Sequence, residues 1–418
     1  MNASSLSSNV TMEILDDPNL LQIINDDAVR QHLIPSVVLT VSMILLGIPG
    51  NILIIAVYMK RWKKSTSRIF ILALAFNDLF NCLFTMPLEL YYIFNVYQTD
   101  DSYLCKVSRC LTFWTNDGSS LILMGIAFDR LQRICKPFKV QMSISKAKRI
   151  VGVSMVASLL VAWPSLFIYG TANVLLPVDE NKGIYAKMCL YSDRPRVRLD
   201  PRVFVFFIMV GNSVLDVFFL VVYGIILYHV KNSDKELRKL SKMDLYSSDG
   251  CRKMSEVDFS AQPSTEVSAN KEIRKLSKEE PNLSRMKQVF SGAPLTTTVK
   301  RKLFSQSRQK RTSYSSSTES RRTIFASRDN RGKTKTTIML FLVTILFIVS
   351  FGPYTVLMTI RIFDAGYYSR LSDFGKATYH FFIRSYFLSN ALNPLIYGFM
   401  SEHFRTECKS VLRNIVCW

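Results

Sequence analysis

Cys105–Pro137 reads CKVSRCLTFWTNDGSSLILMGIAFDRLQRICKP, and the fold turns on this stretch. A cysteine opens it and a proline closes it, and the run between them is long enough to cross a bilayer, which takes roughly twenty residues. Its middle is polar at Asn116, Asp117 and Ser119, and an ionic pair, Asp129-Arg130, stands near its far end with more basic residues behind it. In a membrane helix such a pair is costly unless it sits at the interface or performs a task.

Working outward, the 418 residues carry a net charge of +21 and are 49% hydrophobic. A soluble chain this basic would suggest nucleic acid. Here the basic residues alternate with long apolar runs, so no nucleic-acid partner is expected. The eight cysteines show no zinc-finger spacing. No early segment reads as a cleaved signal peptide, and the first apolar run is full length, so it serves as its own insertion signal.

Residues 1–32 read as a polar, acidic tail. Its sequons, Asn2-Ala3-Ser4 and Asn9-Val10-Thr11, make Asn2 and Asn9 glycosylation candidates on an extracellular segment. Span one, at 33–59, carries Gly50 and Asn51, and Lys60, Arg61, Lys63, Lys64 and Arg68 follow it. This excess of positive charge marks the cytoplasmic side and puts the N-terminus outside. Span two, at 69–92, holds Asp78 in mid-membrane and Pro87 in its outer half. Span four, at 150–169, contains Trp163-Pro164. The loop after it contains one cysteine, Cys189, which alternation places outside, where Cys105 also lies. Two thiols facing an oxidising compartment pair readily.

Asp200-Pro201 reads as a cap and first helical residue for span five, which runs to 230 and contains Asn212 and Asp216. Residues 231–333 form a long loop rich in Ser, Thr, Lys and Arg, a composition typical of disorder. KELRKLSK at 235–242 and KEIRKLSK at 271–278 nearly repeat. They fit either a substrate for basic-directed kinases or a segment held against anionic lipid. Span six, at 336–360, contains FIVSFGPY; span seven, at 374–400, contains SNALNPLIY. In 401–418, Phe404, Cys408, Val411, Leu412 and Ile415 recur at helical spacing, the pattern of an interfacial amphipathic helix. Cys408 and Cys417 are either palmitoylation sites or plain thiols. The division expected is thus a tail at 1–32, spans one to five in 33–230, a loop at 231–333, spans six and seven in 334–400, and a terminal helix with its tail at 401–418.

The polar residues inside these spans carry a resemblance. Gly50-Asn51, LALAFNDLF with Asp78, Cys105 with Asp129-Arg130, Trp163, Tyr223, Phe347 with Pro353, and Asn393-Pro394-Leu395-Ile396-Tyr397 fall in the spans and order of rhodopsin-like (class A) G-protein-coupled receptors. The chain resembles that family, in its neuropeptide-receptor form, over most of its length outside the tail and the long loop. There are departures. Leu131 follows Asp129-Arg130 where tyrosine is usual, and Phe351 stands in the usual place of a tryptophan. Span five lacks its proline near Leu215, span seven reads Ser389-Asn390 where many members have Asn then Ser, and Lys333 lies near a position that is acidic in some members.

The resemblance implies an all-α membrane protein, a seven-helix bundle with a short eighth helix, in the plasma membrane. It implies G-protein activation through Asp129, Arg130, Tyr223, Asn393, Pro394 and Tyr397, with an outward shift of span six. Phe347, Phe351 and Pro353 would form the switch in that span. Asp78, Ser119 and Asn393 would form a polar hub, as a candidate sodium site; no other cofactor is expected. Receptor kinases, arrestin and membrane lipid are implied partners besides the heterotrimeric G protein. Thr112 replaces the aspartate that anchors amines, and the outer halves of the spans offer Glu89, Tyr92, Asn116, Arg361, His380 and Arg384. Charges of both signs around a wide mouth suit an extracellular peptide, and Arg194, Arg196, Arg198 and Arg202 in loop two suit an acidic segment or a C-terminal carboxylate. A receptor for a small non-peptide ligand is the alternative in this fold. A transporter, the alternative outside it, would carry an internal repeat across its spans, and none is seen. An enzyme would need a clustered acid, base or metal set, and the four histidines make no ligand pair.

Overall fold

The computed structural model describes residues 13–60, 64–179, 181–191, 200–257, 335–364 and 366–416. The chain forms two units, one of residues 1–230 with 334–418 and the other of residues 231–333. In the second unit the described part, 231–257, is helical, the continuation of the helix Pro201–Val257. The sequence predicts a disordered loop from 231, and the structure differs there. The segment KELRKLSK is made largely of good helix formers, and polarity alone does not stop a helix. The second copy of the repeat, Lys333, the sequons at Asn2 and Asn9, Arg194, Arg196, Arg198 and Cys417 lie outside the described residues.

The spans of the first unit are helical. Span one is Ile34–Lys60. Span two is Thr66–Phe80 and Met86–Phe94, joined by a π-helical turn at Asn81–Thr85. Span three is Ser102–Cys135, begun by Asp101, whose carboxylate accepts from the Leu104 amide at 2.9 Å. It ends where Pro137 restricts Lys136. Span four is Ile144–Ala162, followed after Trp163-Pro164 by the short helix Ser165–Ile168. Span six is Lys335–Phe363.

Three elements depart from the sequence reading. The tail does not end at 32 as a polar strand of chain: Asp17 caps a helix, accepting from the Asn19 and Leu20 amides at 2.9 and 3.2 Å, and Pro18 opens it. That helix, Pro18–Ala28, runs through a π-helical turn, Val29–Leu33, into span one. Buried Asn25 docks it, donating to the Phe94 carbonyl at 2.8 Å and accepting from the Tyr97 amide at 3.1 Å. Span seven is two helices, Asp373–Phe382 and Phe387–Met400, with turns at 383–386. At the break Ser385 donates to the Ser350 carbonyl of span six at 2.6 Å. The loop after span four is a β-hairpin, β2 (Tyr169–Asp179) against β3 (Lys182–Tyr191), and β1 (Glu13–Leu15) adds in parallel to β3.

Among the described residues five helices are long and apolar enough to cross a membrane: Pro18–Lys60, Thr66–Phe94, Ile144–Ile168, Pro201–Ser233 and Lys335–Phe363. Span three falls short of that measure in its middle, where Thr112, Thr115, Asn116, Asp117, Ser119 and Ser120 lower its apolarity, and span seven because it is broken.

The main core lies between spans one, two, three and seven and the inner halves of five and six. Spans one and seven touch closely. A Cβ built on Gly50 would lie 2.6 Å from Cγ of Pro394, so only glycine fits there. Asn51 donates to the carbonyls of Gly47 at 3.0 Å and Asn390 at 2.9 Å. Ser401 caps the terminal helix, Glu402–Val416, accepting from the Phe404 amide at 3.1 Å. Phe404 and Cys408 are buried in the bundle core beside Tyr58. That part of the apolar face turns to protein where the sequence predicts a lipid interface.

Candidate functional site

The disulfide Cys105–Cys189 ties the start of span three to β3, with Cα atoms 5.6 Å apart; Cys110 is a free thiol. Beneath the hairpin the helices enclose a cavity of about 560 Å³. Glu89, Tyr92, Thr112, Asn116, Arg361, His380 and Arg384 all line it. The wall was only partly legible. Arg109 also lines it, and so do Tyr169 and Tyr191 of the hairpin, Tyr368, and Ala28, His32 and Leu33 of the N-terminal helix. Arg109 had a signal: 105, 109, 112 and 116 step by four, three and four and so share one helix face. The N-terminal helix had none, because its contribution depends on where Asn25 docks.

At the centre of the wall Glu89, buried, bridges two arginines. Its Oε2 meets Arg109 Nη1 at 3.1 Å, and its Oε1 meets Arg384 Nε at 3.0 Å. Arg384 also donates through Nη1 to the His380 carbonyl at 3.0 Å. His380 Nε2 lies 2.9 Å from the Tyr368 hydroxyl, whose pKa burial pushes up to about 12, so the phenol keeps its proton at neutral pH. Arg109 lies over the Tyr92 ring, 5.6 Å from its centroid. Among the described residues Arg361 hydrogen-bonds only the Tyr379 hydroxyl, at 3.5 Å. Thr112 donates to the Ser108 carbonyl at 2.9 Å, and the side-chain amide oxygen of Asn116 is buried with no hydrogen-bond partner among the described residues. Arg202 is exposed at the start of span five.

Below the cavity Phe351 stacks on Phe347 at 4.4 Å and meets Tyr386 of span seven at 5.9 Å. Pro353 stands in the same span two residues on. Asn393 donates to Asp78 at 2.8 Å, but Ser119 does not join them; it accepts from Asn77 at 2.7 Å. Tyr397 is also apart from that pair. Its hydroxyl is buried with no hydrogen bond among the described residues, and its ring faces Tyr58 and Phe404. Of the expected hub, Asp78 and Asn393 are joined and Ser119 stands outside. The hydrogen-bonding reach of the rings is set by packing with the terminal helix, which sequence motifs do not report.

At the inner end Asp129 is fully buried and accepts from Arg130 at 2.5 Å, Arg133 at 3.0 Å and Thr66 at 2.9 Å. Arg130 also donates to Ser67 of span two at 2.5 Å. On span six Thr344 donates to the Tyr223 hydroxyl at 3.2 Å. Arg133, Thr66 and Ser67 are additions to the sequence reading, and Arg133 had a signal in its i,i+4 spacing from Asp129.

Polar spans around a cavity closed on one side by a disulfide-bound hairpin, with an ion cluster at the other end, make this a seven-helix membrane receptor. The chain matches the 7 transmembrane receptor (rhodopsin family) over residues 50–397 and belongs to that family, whose members are multi-pass plasma-membrane receptors and not enzymes. It is 26% identical to the human cholecystokinin receptor type A over 374 residues, covering 86% of this chain and 76% of that receptor. Against the guinea pig (Cavia porcellus) cholecystokinin receptor type A the identity is 24% over 373 residues, with the same coverage. A shorter match, 130 residues at 37%, is to the neuropeptide F receptor of Drosophila melanogaster, covering 30% of this chain and 27% of that one.

Proposed function

We propose that the outer cavity binds an extracellular peptide, and that binding activates a heterotrimeric G protein through an outward shift of span six. The observation that carries the ligand class is the cavity itself: about 560 Å³, open beneath a hairpin, with three arginines and Glu89 on its wall and no carboxylate at Thr112. Relatives named for cholecystokinin and neuropeptide F support the same reading. The face carrying the disulfide and the N-terminal helix is the extracellular one, because Lys60, Lys64 and Arg68 follow span one on the opposite side.

Arg130 held by Asp129 and Ser67 is the resting latch, and Phe347, Phe351 and Pro353 are the pivot through which ligand bias reaches it. Tyr223, Asn393, Pro394 and Tyr397 rearrange with it. Receptor kinases, arrestin and inner-leaflet lipid are further partners on this reading. Asp78 with Asn393, and Ser119 bound to the adjacent Asn77, is the candidate sodium site. Hard cations take oxygen ligands, and the side-chain amide oxygen of Asn393 is buried with no hydrogen-bond partner among the described residues.

The test is nucleotide exchange in membranes bearing the full chain, challenged with a peptide library. Peptide-dependent exchange that Arg130→Ala abolishes while binding persists is the expected result. Exchange driven only by small amines or lipids would overturn the peptide assignment.

A further inference from the structure

We propose that the ligand presents a carboxylate to the cavity and that Arg109 of span three binds it. This rests on the reading of the cavity as the ligand site and names the chemistry the site takes. Three arginines, Arg109, Arg361 and Arg384, face the cavity against two carboxylates not otherwise paired across the mouth, Glu89 and Asp117. Asp364 is already paired with Arg370. Asp117 forms no ion pair with the three arginines among the described residues; it accepts a hydrogen bond from Asn212. Glu89 alone therefore serves two guanidiniums, one on each oxygen. One positive charge is left over inside a wall of low dielectric, where it is not screened as at a surface.

The two arginines are not equivalent. Arg384 is engaged through Nε on Glu89 and Nη1 on the His380 carbonyl, and its side chain is 11% exposed. Arg109 uses only Nη1 on Glu89, and 23% of its side chain is open. Its remaining N–H donors have no partner among the described residues. A guanidinium offers five donors in a planar fork matched to carboxylate. Arg109 can thus accept a second carboxylate without releasing the first, and Tyr92 beneath it keeps the fork oriented. Arg361 at the mouth has no acidic partner among the described residues and adds attraction of the same sign. A ligand ammonium would meet repulsion here, and a neutral amide would leave the extra charge uncompensated.

The same carboxylate could come from a peptide C-terminus or from an acidic side chain, so the experiment uses three blocked probes. N-acetylphenylalanine carries a free α-carboxylate, N-acetylaspartic acid α-amide carries only a side-chain carboxylate, and N-acetylphenylalanine amide carries none. The unfolding midpoint of the full chain in lipid nanodiscs is followed against millimolar probe, since a bound ligand raises it by mass action. One or both carboxylates should raise the midpoint and the amide should not; which one acts names the source. Arg109→Gln should weaken the carboxylate effect by about tenfold, the worth of one charge-assisted bond. Glu89→Gln should strengthen it, because it frees both guanidiniums. The two variants break the same contact, so a purely structural role would move both in one direction. Equal stabilisation by acid and amide, none by either acid, or variants that shift together would overturn the inference. This readout needs no G protein, so its failure leaves the peptide-driven exchange assay standing, and failure of that assay leaves this one interpretable.

Discussion

Asp129→Asn should raise ligand-free nucleotide exchange. The asparagine keeps the volume and one acceptor but removes the carboxylate's charge from its contacts with two guanidiniums, which stay charged. With a neutral acceptor each contact keeps its charged donor and loses the ion-pair part, ~1–1.5 kcal/mol for a buried contact. Asp129 has two, to Arg130, which is 5% exposed, and to Arg133, which is 33% exposed. The Arg130 contact counts nearly in full, whereas solvent screens the Arg133 contact to a few tenths of a kcal/mol. The net weakening is about 1.5 kcal/mol, which moves a two-state equilibrium by roughly tenfold. Basal exchange at matched surface expression should rise by about that factor from a low starting population. Ser67→Ala removes a hydrogen bond from the charged Arg130 guanidinium and should also raise the basal rate. An unchanged or lowered rate in Asp129→Asn, with surface expression and unfolding midpoint matched to the parent, would refute the latch.

Replacing Cys105 or Cys189 with Ala should cut surface expression or ligand binding, since the bond closes a loop over a sequence separation of 84 and a bridge of that length contributes about 4–5 kcal/mol in the chain-entropy account. Gly50→Ala should lower the unfolding midpoint by overpacking against Pro394, at a cost of about 1–3 kcal/mol, whereas Gly152→Ala, which meets nothing within 4 Å, should leave it unchanged or slightly raised. Burial, with Glu407 beside it, pushes the Cys408 thiol up to about 11, so its alkylation should be slow at pH 7 and climb about tenfold per pH unit through pH 10, measured as the difference from Cys408→Ser. Sodium dependence of agonist affinity should vanish in Asp78→Asn; a parent chain indifferent to sodium would remove the ion from the hub.

The sequence carried the membrane fold because it was written in features that need no packing to read: apolar length, the basic cluster after span one, and the motif residues inside the spans. The seven ligand candidates line one cavity because each lies in the outer half of a span, and depth in the membrane is legible from residue number. What escaped depended on tertiary placement. Arg109, on the same helix face as Thr112 and Asn116, gains its role only where Glu89 and Arg384 meet it. The N-terminal helix was a polar stretch until Asn25 found the Phe94 carbonyl. Ser119 and Tyr397 sit near Asp78 in any helical reading, yet rotamer and neighbour decide that Asn77 takes the first and the rings of Tyr58 and Phe404 the second.

The low apolarity of span three bears on how the chain is built in the cell. A lone charge at the centre of an inserting helix costs about 2.5–3.5 kcal/mol and less toward its ends, and span three brings Asp117 at its middle with Arg109, Asp129 and Arg130 nearer its ends. Its compensating groups are staggered along the order of synthesis. Glu89, Thr66 and Ser67 are made before it and are waiting in span two when Arg109, Asp129 and Arg130 emerge. Spans two and three are therefore suited to leave the translocon as a pair. Arg384 arrives last, on a broken segment, and completes a bridge whose first half already stands. A nascent chain halted before span seven would leave Glu89 half served and Asp78 without Asn393, two unmet polar groups by which quality control can tell an unfinished bundle from a finished one.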